Sequence, residues 1–365
     1  MGGGLAAQRC CETLRALGHD GPITIAGAEG TEPYDRPPLS KEGLAGAAAD
    51  PRFRPREWYA SHGVELRLGA AAVGLRPGAR TVELADGERL RYDDLLIATG
   101  SRPVTLPALA GFTNVQALRT LADSRRLREA LRGGAAVTVI GGGLIGLEVA
   151  SSARRLGAAV TVVEAAQLPL GGLLGREVGL RLAAWHRGDG ADLRLGAAVA
   201  SARGGARVEE LVLADGSRIA TDHVVVAVGV RPAAEWLDGS GLVLRGIRTA
   251  LPHVFAAGDV TGGGHWEAAA REGAGVARAL LGLPPAPPAT PSFWSDQLGL
   301  RLQCVGAPAG ARATIAADAE GRGFEAIYRR EGRISAVLLA GRSAADLRAA
   351  RRLLTPDPQL ERSAA

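Results

Sequence analysis

Cysteine is scarce in this sequence: Cys10, Cys11 and Cys304 are the only three. Two of them adjoin and none forms C-x-x-C, which excludes a dithiol redox pair of the usual spacing. An iron–sulfur cluster normally takes four thiolates, more than the chain has. All three are expected to be small buried hydrophobes. Aromatic residues make up only 4%, and no basic cluster is interleaved with them, which argues against nucleic-acid binding. The six histidines (His19, His62, His186, His223, His253 and His265) are scattered without metal-ligand spacing, so no metal site is expected. No apolar run approaches the ~20 residues that span a bilayer, and no basic-then-apolar leader opens the chain. The expectation is a cytoplasmic protein that does not engage a membrane. Lysine is scarcest of all: Lys41 stands alone among 43 Lys and Arg residues. In a composition so biased to arginine, a lysine marks a place for a compact ammonium rather than a planar fork, unless it survived by chance.

What is present is ordinary globular material. The 365 residues are 47% apolar and 22% charged, enough for two or three domains and incompatible with wholesale disorder. The net charge of +5 suits an acidic partner, although dispersed surface arginine accounts for it equally well. The 51 glycines are about twice the usual share.

The chain contains a diverged internal repeat. LADG at 84–87 precedes LLIATGSRP, and LADG at 213–216 precedes VVVAVGVRP; the same spacing separates Asp86 from Gly100 and Asp215 from Gly229. Upstream of each lies a glycine cluster, GGGLAA at 2–7 and GGGLIG at 141–146. Two glycine-opened halves predict two nucleotide-binding domains.

The second half is the cleaner. A short apolar run at 135–141 reads as a buried parallel strand. Gly141-x-Gly143-x-x-Gly146 follows, and Leu144 and Ile145 open a helix that stops at Gly157. A second strand over 158–164 ends in Glu164, placed to bind a ribose 2′-hydroxyl. The glycines permit the turn, the approach of a pyrophosphate and the packing of helix on strand. Ala165, Ala166, Gln167 and Leu168 supply no cation for a 2′-phosphate, which favours NAD over NADP.

The first half repeats the pattern as Gly2-x-Gly4-x-x-Ala7, with Leu5 and Ala6 opening a helix that Gly18 ends. A strand over 23–29 brings Glu29 to the ribose position. Only Met1 stands where the preceding strand belongs. The expectation is a start codon assigned too late, with Met1 in the place of the last strand residue; a flexible glycine tail is the other reading. Further along, PYDRPPLSK (33–41) reads as a rigid proline loop, residues 251–260 as a strand ending in Gly258-Asp259, and residues 265–282 as a helix. From 292 the pattern is a small sheet with a closing helix.

On PYDRPPLSK, LLIATGSRP, VIGGGLIGLEVA, GVRP, FAAGDV, HWEAAAREG and FWSDQ, the chain resembles the NADH-dependent ferredoxin reductases of oxygenase systems, of the putidaredoxin-reductase and aromatic-dioxygenase-reductase type. The resemblance covers nearly the whole chain. It implies an α/β fold with two Rossmann-like dinucleotide-binding domains, for FAD and NAD, plus a small α+β C-terminal domain. The division it implies is FAD domain over 1–107 and 231–283, NAD domain over 108–230, proline-rich linker over 284–291, reductase domain over 292–354 and disordered tail over 355–365.

The resemblance further implies residue roles. FAD would lie on Gly2, Gly4, Leu5 and Ala6, with its ribose on Glu29, its phosphate or ring side near Arg36 and Lys41, and Thr99, Gly100 and Asp259 closing on it. The helix opening at Trp266 would aim its positive end at the flavin, and Trp294 would approach from the C-terminal domain. NADH would lie on Gly141, Gly143, Leu144, Ile145, Gly146, Glu164 and Gly229. Lys41 and Glu148 would pair beside flavin N5, as the catalytic residues; the plain alternative for Glu148 is a solvated helix charge. Electrons would pass from NADH through FAD to a [2Fe–2S] ferredoxin or Rieske-type carrier of an oxygenase or cytochrome P450, from a monomer or homodimer. Two departures stand out: only VTGGG separates Asp259 from His265, where relatives carry a longer loop, and Leu298 stands where they usually carry an aromatic. The alternatives are another FAD/NADH oxidoreductase (an NADH oxidase, or one like monodehydroascorbate or rubredoxin reductase) and a NADH-binding redox sensor of low turnover.

Overall fold

The computed structural model describes residues 1–46, 50–244, 246–317 and 323–354. The expected disordered tail over 355–365 lies outside them. The chain is mixed α/β and divides into two compact units. One comprises Met1–Arg36, Asp50–Arg102 and Val230–Pro288; the other comprises Pro37–Ala49, Pro103–Gly229 and Ala289–Ala365.

In the first unit, the helix Leu5–Ala16 buries Ala6, Ala7, Cys10, Cys11 and Leu14, a spacing of three and four that makes one apolar face. It ends just before Gly18, whose φ of 85° no larger residue adopts readily. Parallel strands Ile23–Gly27 and Val64–Leu68 form one pair, and Leu95–Ile97 and Val254–Ala256 another. Met1 bridges the two pairs. Its ammonium donates to the Leu96 carbonyl at 2.6 Å, its carbonyl accepts from Ala98 N–H at 2.7 Å, and Gly2 N–H donates to Ala26 at 2.7 Å. Among the described residues no strand precedes the helix Leu5–Ala16.

In the second unit, five parallel strands run in the order Asp192–Leu195, Ala159–Glu164, Ala136–Ile140, His223–Val226, Val115–Ala117. The middle strands are rich in valine and bury it at Val137, Val139, Val162, Val163, Val224 and Val225, because both faces of a parallel sheet are covered. The same unit holds an antiparallel five-stranded sheet, ordered Ser292–Gln297, Leu300–Gly306, Arg333–Ala340, Phe324–Arg330, Arg312–Ala317. One face of it packs Leu302, Phe324 and Tyr328 against Leu174, Val178 and Leu182 of the helix Gly171–Gly188. The closing helix Ala344–Leu354 covers Val337 and Leu339 on the other.

The internal repeat is visible in both units. Each carries a three-stranded antiparallel ribbon with the LADG turn between its last two strands: Ala72–Arg76, Thr81–Leu84, Arg89–Arg91 and Val199–Arg203, Glu210–Leu213, Arg218–Ala220.

Candidate dinucleotide sites and a buried ion pair

In the first unit, Gly2 takes φ 112°, and a Cβ there would lie 2.0 Å from the Ala98 carbonyl oxygen. Only glycine fits this approach. The helix Leu5–Ala16 then begins at Gly4 with no side-chain cap and no acid in its first turn. The space over Gly3 and Gly4 is open, since a methyl group there would meet no heavy atom within 4 Å. Unsatisfied N–H groups and the positive end of the helix dipole thus face a gap that an anion can fill. Glu29, past the end of the neighbouring strand, accepts from Tyr34 Oη at 2.5 Å and from Arg36 at 2.8 Å. Thr99 donates to the Ala233 carbonyl at 2.7 Å, and Gly100 accepts from Ala233 N–H at 2.9 Å. Asp259 accepts from Ser101 Oγ at 2.8 Å. Trp266 opens the helix Trp266–Leu280 and donates its indole N–H to Asp35 at 2.6 Å. Burial lowers the pKa of His265, just before it, while Asp259 acts in the opposite direction.

The second unit repeats the loop. Gly141 takes φ 108°, and a Cβ would lie 2.4 Å from the Ala227 carbonyl oxygen; a Cβ on Gly146 would lie 2.0 Å from Gly141 O. The helix Leu144–Arg155 starts at Gly143, again uncapped and without an acid in its first turn. The space over Gly143 and Gly229 is open, and Ile145 is exposed. Glu164 ends its strand beside this loop and accepts from Gly142 N–H at 2.5 Å and Ala166 N–H at 2.7 Å. The structure therefore gathers Gly141–Gly146 and Glu164 around one helix N-terminus.

Glu148 lies on that same helix and is not a solvated surface charge. Lys41 Nζ donates to its Oε2 at 2.8 Å, with side chains 9% and 5% exposed. Lys41 also donates to the Pro37 carbonyl at 3.2 Å. Ser40 Oγ donates to Oε2 at 2.5 Å and Ser295 Oγ to Oε1 at 2.6 Å. Ser152, one turn further along the helix, donates to the Ser40 carbonyl at 2.7 Å. An ion pair this dry is held only because the carboxylate is saturated with donors. Lys41 groups with Glu148 in the second unit, apart from Arg36 in the first.

Sequence reasoning missed Ser40, Ser152 and Ser295. A signal existed for Ser295: in FWSDQ, Ser295 and Gln297 alternate on one strand face and both are buried, so a polar pair occupies a core face. Trp294 lies on the opposite face of that strand. Leu298, in the hairpin turn that follows, takes φ 53°, and its N–H donates to Ser151 Oγ at 2.7 Å. Among the described residues no group of His, Cys, Asp and Glu is placed to hold a metal ion. No helix among them is long and apolar enough to cross a membrane.

Two glycine loops of matching geometry, each opening a helix whose N-terminus is free for an anion, define an oxidoreductase of the two-dinucleotide class. The chain belongs to the pyridine nucleotide-disulphide oxidoreductase family, whose model matches residues 1–273; a reductase C-terminal model matches residues 292–365. It is 38% identical over 392 residues to the ferredoxin–NAD(+) reductase component of an anthranilate 1,2-dioxygenase system from Burkholderia cepacia, covering 98% of this chain and 95% of that one. It is 37% identical to the ferredoxin reductase component of a chlorobenzene dioxygenase from Cupriavidus sp., covering 93% and 87%. Among solved structures it matches putidaredoxin reductase in its covalent complex with putidaredoxin, with a TM-score of 0.92 and 30% identity over 98% of this chain and 94% of that one. The resemblance drawn from the sequence and the fold class it implied are both borne out.

Proposed function

We propose that this enzyme is an NADH:ferredoxin oxidoreductase that carries electrons from NADH through FAD to a [2Fe–2S] ferredoxin or Rieske-type carrier; its relatives are named as ferredoxin reductase components of dioxygenases. The residues of both loops fit dinucleotides: each helix is uncapped by a side chain, carries no acid in its first turn and opens at Gly4 or Gly143 onto open space. FAD, when bound, supplies the step from a two-electron donor to one-electron acceptors.

In this reading Gly2, Gly4, Leu5 and Ala6 hold the FAD pyrophosphate by backbone N–H groups. Glu29 takes its adenosine ribose and Arg36 its phosphate or ring side, and Thr99, Gly100, Asp259 and Trp266 complete the first-unit site. Gly141, Gly143, Leu144, Ile145 and Gly146 hold the NAD pyrophosphate, and Gly229 leaves room beside them. Glu164 binds the ribose diol and repels a 2′-phosphate, so NADH is preferred. Lys41 and Glu148 are the catalytic pair at the nicotinamide end: the Lys41 ammonium, paired with Glu148 in a nearly dry place, favours negative charge gained nearby.

The observation that carries this reading is the buried Lys41–Glu148 pair, set on the very helix that the NAD loop opens. The acceptor is a separate protein, working with a monomer or homodimer in the cytoplasm. Cytochrome c reduction by NADH, with and without an added [2Fe–2S] ferredoxin, tests the partner. A rate that rises with ferredoxin concentration is expected; a rate indifferent to ferredoxin would contradict it.

A further inference from the structure

The hydrogen bonds around Glu148 continue past Ser295. Gln297 Nε2 donates to Ser295 Oγ at 2.9 Å, and Gln297 Oε1 lies 3.1 Å from His186 Nε2. Ser295, Gln297 and His186 are 0%, 3% and 1% exposed. They come from the strand Ser292–Gln297 and from the helix Gly171–Gly188, the next helix after the one that carries Glu148.

The direction of this chain is forced from one end. Glu148 faces an ammonium at 2.8 Å, and a carboxylate only accepts. Ser295 must therefore donate its one proton to Glu148. Its oxygen then accepts, so the Gln297 group beside it is the amide NH₂ and the amide oxygen faces His186. His186 must donate, which makes it the Nε2–H tautomer. Burial lowers its pKa, in the direction that favours the neutral ring of that assignment. Each member has one orientation that satisfies both neighbours, and a buried polar group without its partner is unfavourable.

We propose that His186, Gln297 and Ser295 are positioning residues: a one-way chain of donors that, with Ser40, fixes both Glu148 oxygens and so holds the Lys41 ammonium with one N–H left for the nicotinamide. Among the described residues two of the three Lys41 N–H groups are taken, by Glu148 and the Pro37 carbonyl. The use of the third rests on the function proposed above; the chain itself does not.

Lys41 supplies its own probe. As the sole lysine in the sequence, it gives a single ammonium cross-peak when the full chain, saturated with FAD, is made with [ζ-15N]lysine. The expected result is a visible, water-protected cross-peak in the wild type, lost in Ser295→Ala and kept in Ser295→Thr. His186→Leu, which removes the first donor and frees Gln297 to turn over, should lose it too, and carries the test if Ser295→Ala fails to fold. In parallel, the rate of flavin reduction by NADH should fall about tenfold in Ser295→Ala, with the NADH concentration for half-saturation unchanged. A wild-type cross-peak in both Ser295→Ala and His186→Leu, or none in the wild type itself, would overturn the chain. Loss of the cross-peak with an unchanged reduction rate would leave the chain standing and overturn its use in the reaction. Failure of the wild type to take up FAD would refute the proposed function instead.

Discussion

Ser152 donates its hydroxyl to the carbonyl of Ser40 at 2.7 Å, so the helix that carries Glu148 also fixes the backbone just before Lys41. The ammonium is thus located twice from one helix, by the ion pair to its side chain and by the serine to its main chain. The proposed catalytic pair gains from such double support, because an error of about 1 Å in a positioned group is enough to slow a reaction.

Lys41→Met should therefore act on both stability and rate. It leaves Glu148 buried without its cation, which costs about 3–5 kcal/mol, and removes the positive charge beside the proposed nicotinamide. Flavin reduction should slow by on the order of 10²-fold. Urea denaturation and stopped-flow absorbance check the two arms separately; a reduction rate like that of the wild type would remove Lys41 from the catalytic pair.

Glu164→Ala should weaken NADH without touching the chemistry. The carboxylate holds the N–H groups of Gly142 and Ala166, and in the proposed complex it binds the ribose. The KM for NADH is expected to rise about tenfold with kcat little changed, and the preference over NADPH should narrow. Steady-state kinetics with both nucleotides measure this, and an unaltered KM would contradict the ribose role.

Acid should destabilise the fold through His223. Burial, with Arg207 and Arg126 acting in the same direction, lowers this imidazole to about 4, and its Nε2 is buried without a hydrogen-bond partner among the described residues. The unfolded chain takes up a proton near the ordinary value of about 6.5, so between the two values it binds more protons than the folded chain. Stability then rises with pH across that window and falls as pH drops from about 6.5 to about 4, by roughly 2–3 kcal/mol for this group. Urea midpoints at pH 7 and pH 5 for the wild type and His223→Leu check it: the pH dependence should be shallower in the variant.

The three thiols should be silent in the native protein. Burial pushes Cys10 and Cys304 up to about 12 and Cys11 to about 11, and all three are buried. No thiolate forms to react at pH 8. Labelling with a chromogenic disulfide should give no colour until the chain is unfolded; rapid native labelling of any one would reopen thiol chemistry for this member of the family.

Much of this was legible in the sequence because it is local. The loop Gly141–Gly146, its flanking strands and Glu164 fall within one supersecondary unit, so spacing alone sets their geometry. The LADG repeat likewise marks the two matching ribbons. Lys41 drew notice by being alone, and its partnership with Glu148 came through family resemblance. What was illegible is what long-range packing decides. Ser40, Ser152 and Ser295 are common residues whose value comes from partners over a hundred positions away. The bridging of two strand pairs by Met1 depends on two sheet edges that no local pattern brings together. Leu298 at positive φ is set by a hairpin whose strain Ser151 offsets.

The central claim is that one chain brings a flavin and NADH into reaction. Anaerobic mixing of the FAD-loaded protein with NADH, and separately with NADPH, while following the flavin absorbance near 450 nm (on the order of the usual oxidised-flavin band), tests it most directly. One FAD held per chain and rapid bleaching by NADH are expected, with NADPH much slower. Protein that takes up no FAD, or whose flavin stays oxidised with NADH, would contradict it.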